Sequence, residues 1–559
     1  MEKRMILAIV LSIVILLAYQ RLFAPETAKA PPPAQRQDAA KAGSGDNAAG
    51  AAGAPALAVP PSPASEGLIP GRENPLRWIT VRTPLYIATV TTAGGGIQSF
   101  TLSGYNDRTG PKGKPLDIIG SGSLRPLPLD LYLAESQPAF PPQPVFASNA
   151  PGELSVAAGE KKTVSLSWES AGGVHIIREY TFTGGGYDFE VDQKVTNGTP
   201  GSLRFKPGIE LSQVFAGELG GDSYSFLGAV ADSGGKIEQL DLKKIAKGGI
   251  DKVPVRWAAA DAKYFTLIAI PGKEWSLEQV SPLGTEGIRI ALSGSPVVLG
   301  PREVVSFSVR TFMGPKEYNL LEATGKGLER LVDYGWFSII AKPLVWVLTA
   351  SNRVTGNYGI DIIFLTILIK ILFYPLTQKS MASMKKMQEL SPILTKIKEK
   401  YKDDKARQQQ EMMNLYKTYK INPMSGCLPM LLQIPVFIAL YKGLLVAIEL
   451  RHAPFFLWIN DLSAPELLWD IAVAGYTIPI RLLPLLMGIS MFFQQKLTPS
   501  AGMDPTQQKM MLFLPVIFTF MFWGFPTGLT IYWLVNNLLS IGQQLIQNRK
   551  AEAEKAARA

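Results

Sequence analysis

The chain has 559 residues, 47% of them hydrophobic, and a net charge of +10, which is enough for several domains. One cysteine, Cys427, excludes an internal disulfide, and with only His175 and His452 far apart it forms no zinc-ligand cluster. No G-x-x-x-x-G-K-[ST] motif occurs, so no P-loop nucleotide motor is encoded.

Hydrophobic residues concentrate at the extreme N-terminus and after residue 330, the pattern of a membrane protein with a large soluble insert. Glu2-Lys3-Arg4 precede an apolar run from Met5 to Ala18 that continues to Phe23. Charge ahead of such a run places the N-terminus in the cytoplasm, so residues 1–23 read as an anchor. A cleaved signal peptide is the rival reading. Ala28-Lys29-Ala30 has the A-x-A form, but Pro31-Pro32-Pro33 follow it and obstruct cleavage there. Residues 24–71, rich in Ala, Pro and Gly with little to bury, read as a disordered tether.

From Trp78 the texture changes to short alternating runs such as RWITVRT, TVSLSWES, GVHIIREYTF and EVVSFSVRTF, bounded by Gly, Pro, Asn and Asp. This pattern predicts an antiparallel β-sandwich over 72–326. Asp188, Glu190 and Asp192 alternate along one strand, which reads as a solvated face rather than a catalytic pair. Residues 327–357 read as a helical approach to the membrane, with Trp336 and Trp346 suited to its interface. Packing against the sandwich is the competing reading for that segment.

Residues 358–548 read as the membrane domain, with spans near 359–377, 424–448, 478–495, 510–525 and 527–546; with the anchor these make six. The first, GIDIIFLTILIKILFYPLT, covers roughly 28 Å as a helix and holds Lys370 near its middle. A charge near a helix centre costs about 2.5–3.5 kcal/mol on insertion scales, so it usually faces a polar cavity or a partner. A lysine snorkelling to the headgroups is the alternative. Thr366 lies on the same helix face, and no carboxylate occurs in the neighbouring apolar runs. In the other spans the polar residues able to meet Lys370 are Gln433 and the i, i+4, i+8 ladder Tyr532, Asn536 and Ser540. Interhelical hydrogen bonding is the plainer role for all of these.

The connection 378–423 carries eleven Lys/Arg against five Asp/Glu, which places it in the cytoplasm, as do the basic residues of the tail 549–559. Met384, Met387, Leu390, Leu394, Ile397 and Tyr401 recur at helical steps, and Met412, Leu415, Tyr416 and Tyr419 do so after Lys402-Asp403-Asp404. Together they predict a helical hairpin. Methionines such as Met384 and Met387 suit adaptable contacts, and the basic exterior, Lys385 and Lys386 included, suits ribosomal RNA, acidic lipid or an acidic partner.

Long stretches of this region resemble the YidC/Oxa/Alb family of membrane-protein insertases. They are YGWF at 334–337, YPLT at 374–377, KDDKARQQQEMMNLYK at 402–417, INPMSGCLPMLLQIPVFIALY at 421–441, ELRHAPFFLWINDLS at 449–463, MGISMFFQQK at 487–496, DPTQQKMMLFLPVIFTFMF at 504–522 and FPTGLTIYWLVNNLLSIGQQ at 525–544. The resemblance implies a multidomain α+β membrane protein of the Gram-negative form: an anchor helix, a periplasmic β-supersandwich, and a five-helix membrane bundle with a cytoplasmic hairpin. It implies a non-enzymatic insertase of the inner membrane that uses no cofactor. Its partners would be nascent membrane proteins, the bilayer, the ribosome and the Sec translocon (SecYEG and SecDF), with no DNA. It also implies a positively charged groove. By the match at YPLT, the groove's usual arginine corresponds to Lys370, which keeps the charge but loses the planar five-donor fork. Thr366, Gln433, Tyr532 and Asn536 fall on groove-lining positions, and Trp533 stands where a second tyrosine is common. A secondary transporter with an anion site at Lys370 is the alternative from another class, but the repeated halves usual in such proteins are not seen. An enzymatic sandwich would need a convergent acid pair.

Overall fold

The computed structural model of the protein describes residues 68–120, 124–222, 225–248, 252–419, 428–473, 476–497 and 505–556. The anchor expected over 1–23 and nearly all of the tether over 24–71 lie outside them.

The expected sandwich is present. Its shared layer is an eight-stranded antiparallel sheet. In spatial order the strands are Lys236–Asp241, Gly228–Ser233, Trp257–Asp261, Phe265–Pro271, Val304–Pro315, Asp188–Asn197, Val174–Thr183 and Lys161–Glu169. A six-stranded sheet built on Leu203–Val214 and Gly287–Ser293 covers one end of this layer. A five-stranded sheet built on Tyr86–Thr91 and Ile97–Asn106 covers the other, where Phe100 stacks 6.2 Å from Phe189. Along Val174–Thr183 inward and outward residues alternate, as a strand with one buried face requires. The inward rows merge into one core whose largest fully buried side chains include Trp168, Trp257, Tyr180 and Phe182. Each such side chain contributes about 1.5–3 kcal/mol by its burial. Asp188 and Asp192 stand half-exposed and Glu190 exposed on that strand, and Asp188 pairs with Arg310 at 2.9 Å, so they form no convergent acid site.

The helices run in the order α1 (Leu242–Ala246), α2 (Tyr318–Thr324), α3 (Ser338–Thr355), α4 (Tyr358–Glu389), α5 (Ser391–Lys400), α6 (Lys405–Thr418), α7 (Leu428–Val446), α8 (Leu482–Leu497), α9 (Pro505–Phe522) and α10 (Thr527–Ala556). The segment 327–357 divides into a buried and an exposed part. Leu328, Leu331, Val332 and Tyr334 are buried in the sandwich core, whereas Trp336 and Trp346 are 99% and 69% exposed. The corner between α3 and α4 is made by Gly356, whose φ of +64° suits the left-handed residue that ends a helix. Asp361, fully buried in the first turn of α4, closes the corner by accepting hydrogen bonds from Asn352 Nδ2 and Thr355 Oγ1, both at 2.8 Å. The first apolar run therefore holds a carboxylate as well as a lysine, and the carboxylate is engaged at the helix head, not with Lys370.

α4 is longer than the span expected over 359–377, reaching about 48 Å and so projecting beyond a hydrocarbon core of about 30 Å. Among the described residues it is the one helix long and apolar enough to cross a membrane by that measure; the apolar stretches Leu432–Val446, Leu482–Leu497 and Met511–Phe522 are shorter. The stretch read as a span from 478 begins instead with the end of a β-hairpin, Trp469–Val473 paired with Tyr476–Ile480, and its helix starts at Leu482. Glu466 prepares that start. It is buried, takes a hydrogen bond from Trp458 Nε1 at 2.7 Å, and caps the N–H of Leu483, where a carboxylate also suits the helix dipole.

The sandwich docks on the segment after α7. The Arg451 guanidinium, its side chain 3% exposed, donates to the Asn106 carbonyl at 2.5 Å and to Glu218 Oε2 at 3.0 Å, and lies over the Phe265 ring. His452 Nε2 stands 3.8 Å from the same Glu218 oxygen. Burial and the adjacent Arg451 charge hold the His452 imidazole below its ordinary pKa.

Candidate functional site

The helical bundle is apolar on two sides. α4 turns Ile362, Leu365, Thr366 and Ile369 inward, while Phe364, Ile367, Leu368, Ile371 and Leu372 are exposed. Phe513, Val516, Ile517 and Phe520 of α9 and Ile489 and Phe493 of α8 are exposed in the same way. Apolar faces of this extent are a lipid-facing surface, not a water-facing one.

Lys370 lies between the two faces of α4, half-buried, and donates from Nζ to Ser540 Oγ on α10 at 2.6 Å. Among the described residues no carboxylate stands within ion-pair distance of it. The two residues meet because they lie equally deep: Lys370 is about 18 Å from the head of α4 and Ser540 about 20 Å from the head of α10. Ser540 is one of the residues that the sequence marks as able to meet Lys370, although the groove positions implied by the resemblance do not include it. It ends the Tyr532–Asn536 ladder, and helix arithmetic puts it, rather than Tyr532 or Asn536, at the lysine's level.

The other expected residues divide. Gln433 of α7 donates from Nε2 to the hydroxyl of Tyr532, which is almost wholly buried, so these two are brought together across helices. Tyr532 lies on α10 about 12 Å nearer its head than Ser540. Asn536 is half-buried on the same α10 face, and its backbone carbonyl accepts from Ser540 Oγ at 2.7 Å. Thr366 is fully buried, and its hydroxyl donates to the Ile362 carbonyl at 2.6 Å, with no bond to Lys370. Trp533, one residue past Tyr532, points into an aromatic cluster, its ring edge-on to Phe437 at 4.8 Å and 5.1 Å from Phe522. The position that often carries a second hydroxyl here belongs to packing, and its indole N–H is buried without a partner among the described residues. A separate buried pair, Asn537 Nδ2 to Ser490 Oγ at 3.0 Å, ties α10 to α8.

The expected hairpin residues sit on the last turns of α4, not on a separate arm. Leu390 ends that helix, and Pro392 begins the next at its N-terminus, so one apolar stripe runs over two helices. Met387 packs against the hairpin's small core of Leu390 and Leu394 with Met412, Leu415 and Tyr416. Met384 and Lys385 are half-buried and Lys386 is exposed. Asp404 caps α6 by accepting the Arg407 N–H at 3.0 Å.

The arrangement offers a cation inside an apolar bundle, held by one hydroxyl, with a second polar contact above it. Among the described residues no group of His, Cys, Asp and Glu is placed to hold a metal ion.

Two family models together account for almost the whole described chain: "YidC periplasmic domain" matches residues 78–347 and "60Kd inner membrane protein" matches 350–555. A membrane protein insertase YidC from Geotalea daltonii is 40% identical over 99% of this chain and 100% of its own. One from Geobacter sulfurreducens is 38% identical over 100% of both chains. A crystal structure of an active YidC insertase with its first transmembrane domain resolved is similar at 19% identity, covering 86% of this chain and 94% of that one, with a TM-score of 0.35.

Proposed function

The chain belongs to the YidC family of membrane protein insertases, and from that membership we propose that its helical bundle inserts other membrane proteins through the polar track anchored on Lys370. The family's work is non-enzymatic, and the inner membrane with a periplasmic domain is its setting. The observation that carries the reading of the site is Lys370 itself, a cation inside the bundle with a hydroxyl partner and no carboxylate partner among the described residues. A short translocated segment carrying Asp or Glu supplies that missing carboxylate for as long as it is passing.

Magnitudes separate the driving force from the guide. A Leu-rich span of twenty residues gains on the order of 10 kcal/mol by partitioning into lipid. Each charge taken into the bilayer centre costs about 2.5–3.5 kcal/mol. The substrate's own span therefore drives insertion, and the groove's task is to lower the cost of carrying a short polar tail. Two unit charges 4 Å apart attract by about 4 kcal/mol at an effective dielectric constant near 20, which offsets one charge and still releases it. Thr366, Gln433, Tyr532 and Asn536 complete the track with hydroxyls and amides; Trp533 shapes its wall.

The finer topology is part of the same proposal. Six spans, both termini in the cytoplasm and the β-domain outside fit the excess of lysine and arginine over 378–423. The hairpin, with Lys385, Lys386, Met384 and Met387 at its base, meets the ribosome or the Sec translocon on the cytoplasmic side.

Photocrosslinking of stalled nascent membrane proteins tests the track. A photoreactive residue at Asn536 should capture the substrate's translocated segment, whereas one at the outward Phe520 should not capture that segment. Capture of the segment at Phe520 with none at Asn536 would refute the assignment.

A further inference from the structure

The hydrogen bond between Lys370 and Ser540 has a direction that fixes what Ser540 can do. The Ser540 hydroxyl has one proton, and it is donated to the Asn536 carbonyl one turn earlier at 2.7 Å. Only its lone pairs remain, and one of them receives Lys370 Nζ at 2.6 Å. The helix thus orients the hydroxyl as an acceptor for a cation. The ammonium has three N–H groups, of which Ser540 takes one, so two stay available to a carboxylate.

Two consequences follow from position. A lysine stem is flexible enough to carry its charge toward the headgroups, and the bond to Ser540 on a neighbouring helix opposes that drift. An arginine could hold one partner and still present a fork. A lysine is a point charge on a loose stem and needs an outside contact to stay in register. Thr366, four residues earlier on the lysine's own helix, is not bonded to the ammonium; its fully buried hydroxyl bonds the Ile362 carbonyl.

We propose that Ser540 is a positioning residue for insertion: it parks the Lys370 ammonium on α10 between substrates, so that the charge meets each incoming acidic tail from a fixed place. This rests on the reading of Lys370 as the groove cation. The bond is to a neutral hydroxyl, so an arriving carboxylate displaces or joins it at little cost, whereas a resident carboxylate would compete with the substrate.

The test uses the full-length protein as the only insertase in depleted cells, with two substrates that differ in one respect. One single-span protein carries aspartates in its short translocated tail; the other carries asparagines. The readout is the ratio of acidic-tail to neutral-tail insertion, scored by protease protection at matched levels of the insertase in the membrane. Ser540→Ala should lower the ratio roughly tenfold, the scale of one charge-assisted hydrogen bond. Ser540→Thr should restore it and Ser540→Val should not; that pair differs by the hydroxyl at nearly constant shape and stands even if the alanine variant folds poorly. Adding Ser540→Ala to Lys370→Met should change nothing further. A loss equal for both tails would make Ser540 merely structural and overturn the proposal, as would an unchanged ratio in Ser540→Ala and Ser540→Val while Lys370→Met lowers it. If Lys370→Met itself leaves the ratio unchanged, the groove-cation reading fails and the parking role falls with it.

Discussion

The contact at Arg451 makes a prediction whose sign depends on which partner is removed. Glu218→Ala leaves a guanidinium 3% exposed with the Asn106 carbonyl as its remaining acceptor, and its Nε already lacks a partner among the described residues. Breaking a fully buried pair in this way costs about 3–5 kcal/mol. Glu218 is itself 38% exposed, so water partly replaces it, and about 2 kcal/mol is the expected loss. Arg451→Met removes the charge together with its desolvation cost, keeps an apolar stem against Phe265, and leaves Glu218 to rehydrate. It should cost under about 1 kcal/mol. Hydrogen exchange on the full chain in detergent or nanodiscs reads the difference. Amides around 448–453 should exchange roughly 30-fold faster in Glu218→Ala, at 1.4 kcal/mol per factor of ten, and only a few-fold faster in Arg451→Met. Equal protection in wild type and Glu218→Ala, or a larger effect from Arg451→Met, would refute this account of the docking.

Three further outcomes are expected. A Cβ at Gly488 would overlap Thr519 Oγ1 where α8 crosses α9, so Gly488→Ala should lower thermal stability by about 1–3 kcal/mol. Thr519→Ala should recover part of that loss, and no recovery would sink the steric explanation. Asp361→Asn would turn an N–H₂ toward Asn352 or Thr355, two existing donors, and should cost about 1–3 kcal/mol by detergent melting; an unchanged melting temperature would contradict the corner's bonding. Asp117 accepts the Phe100 and Ile119 N–H groups on one oxygen, and burial raises its pKa above the usual aspartate value. Its charged form therefore penalises the folded state above the folded pKa, and the penalty is relieved as pH falls through that value. Asp117→Asn keeps both bonds, so melts at pH 7.5 and pH 4, which take in the range just above the usual aspartate value, should show a smaller gain on acidification than wild type. An identical gain would show that Asp117 does not contribute.

The sandwich was legible because one buried face imposes a period of two, and stretches such as TVSLSWES and GVHIIREYTF show it without help from distant contacts. The long apolar helix with Lys370 was legible for a similar reason, since lipid permits few charges along a span. What was not legible depends on pairs far apart in the chain. Arg451 meets the backbone carbonyl of Asn106, and a carbonyl leaves no mark in a side-chain sequence. Trp533 looked like part of the groove, but the next residue on a helix turns about 100° away, and Phe437 and Phe522 were there to receive it. Only the last residues of the hairpin, Ile478 to Ile480, were merged into the span, because Arg481 alone separates them from Leu482 and Leu483. Apolar composition cannot separate a short strand from the start of a helix when a single charged residue is all that falls between them. Asp361 was passed over because a carboxylate at a helix head serves the corner before it, and the partners there lie in the preceding helix.

The central claim is that a charge at Lys370 guides acidic tails during insertion. The most direct test depletes the host's own insertase and supplies this chain as wild type, Lys370→Ala or Lys370→Arg, scoring protease protection of a short acidic tail. The account predicts rescue by wild type and by Lys370→Arg, and failure by Lys370→Ala at equal membrane levels. Equal rescue by all three would contradict it and leave Lys370 a lysine that reaches for the headgroups.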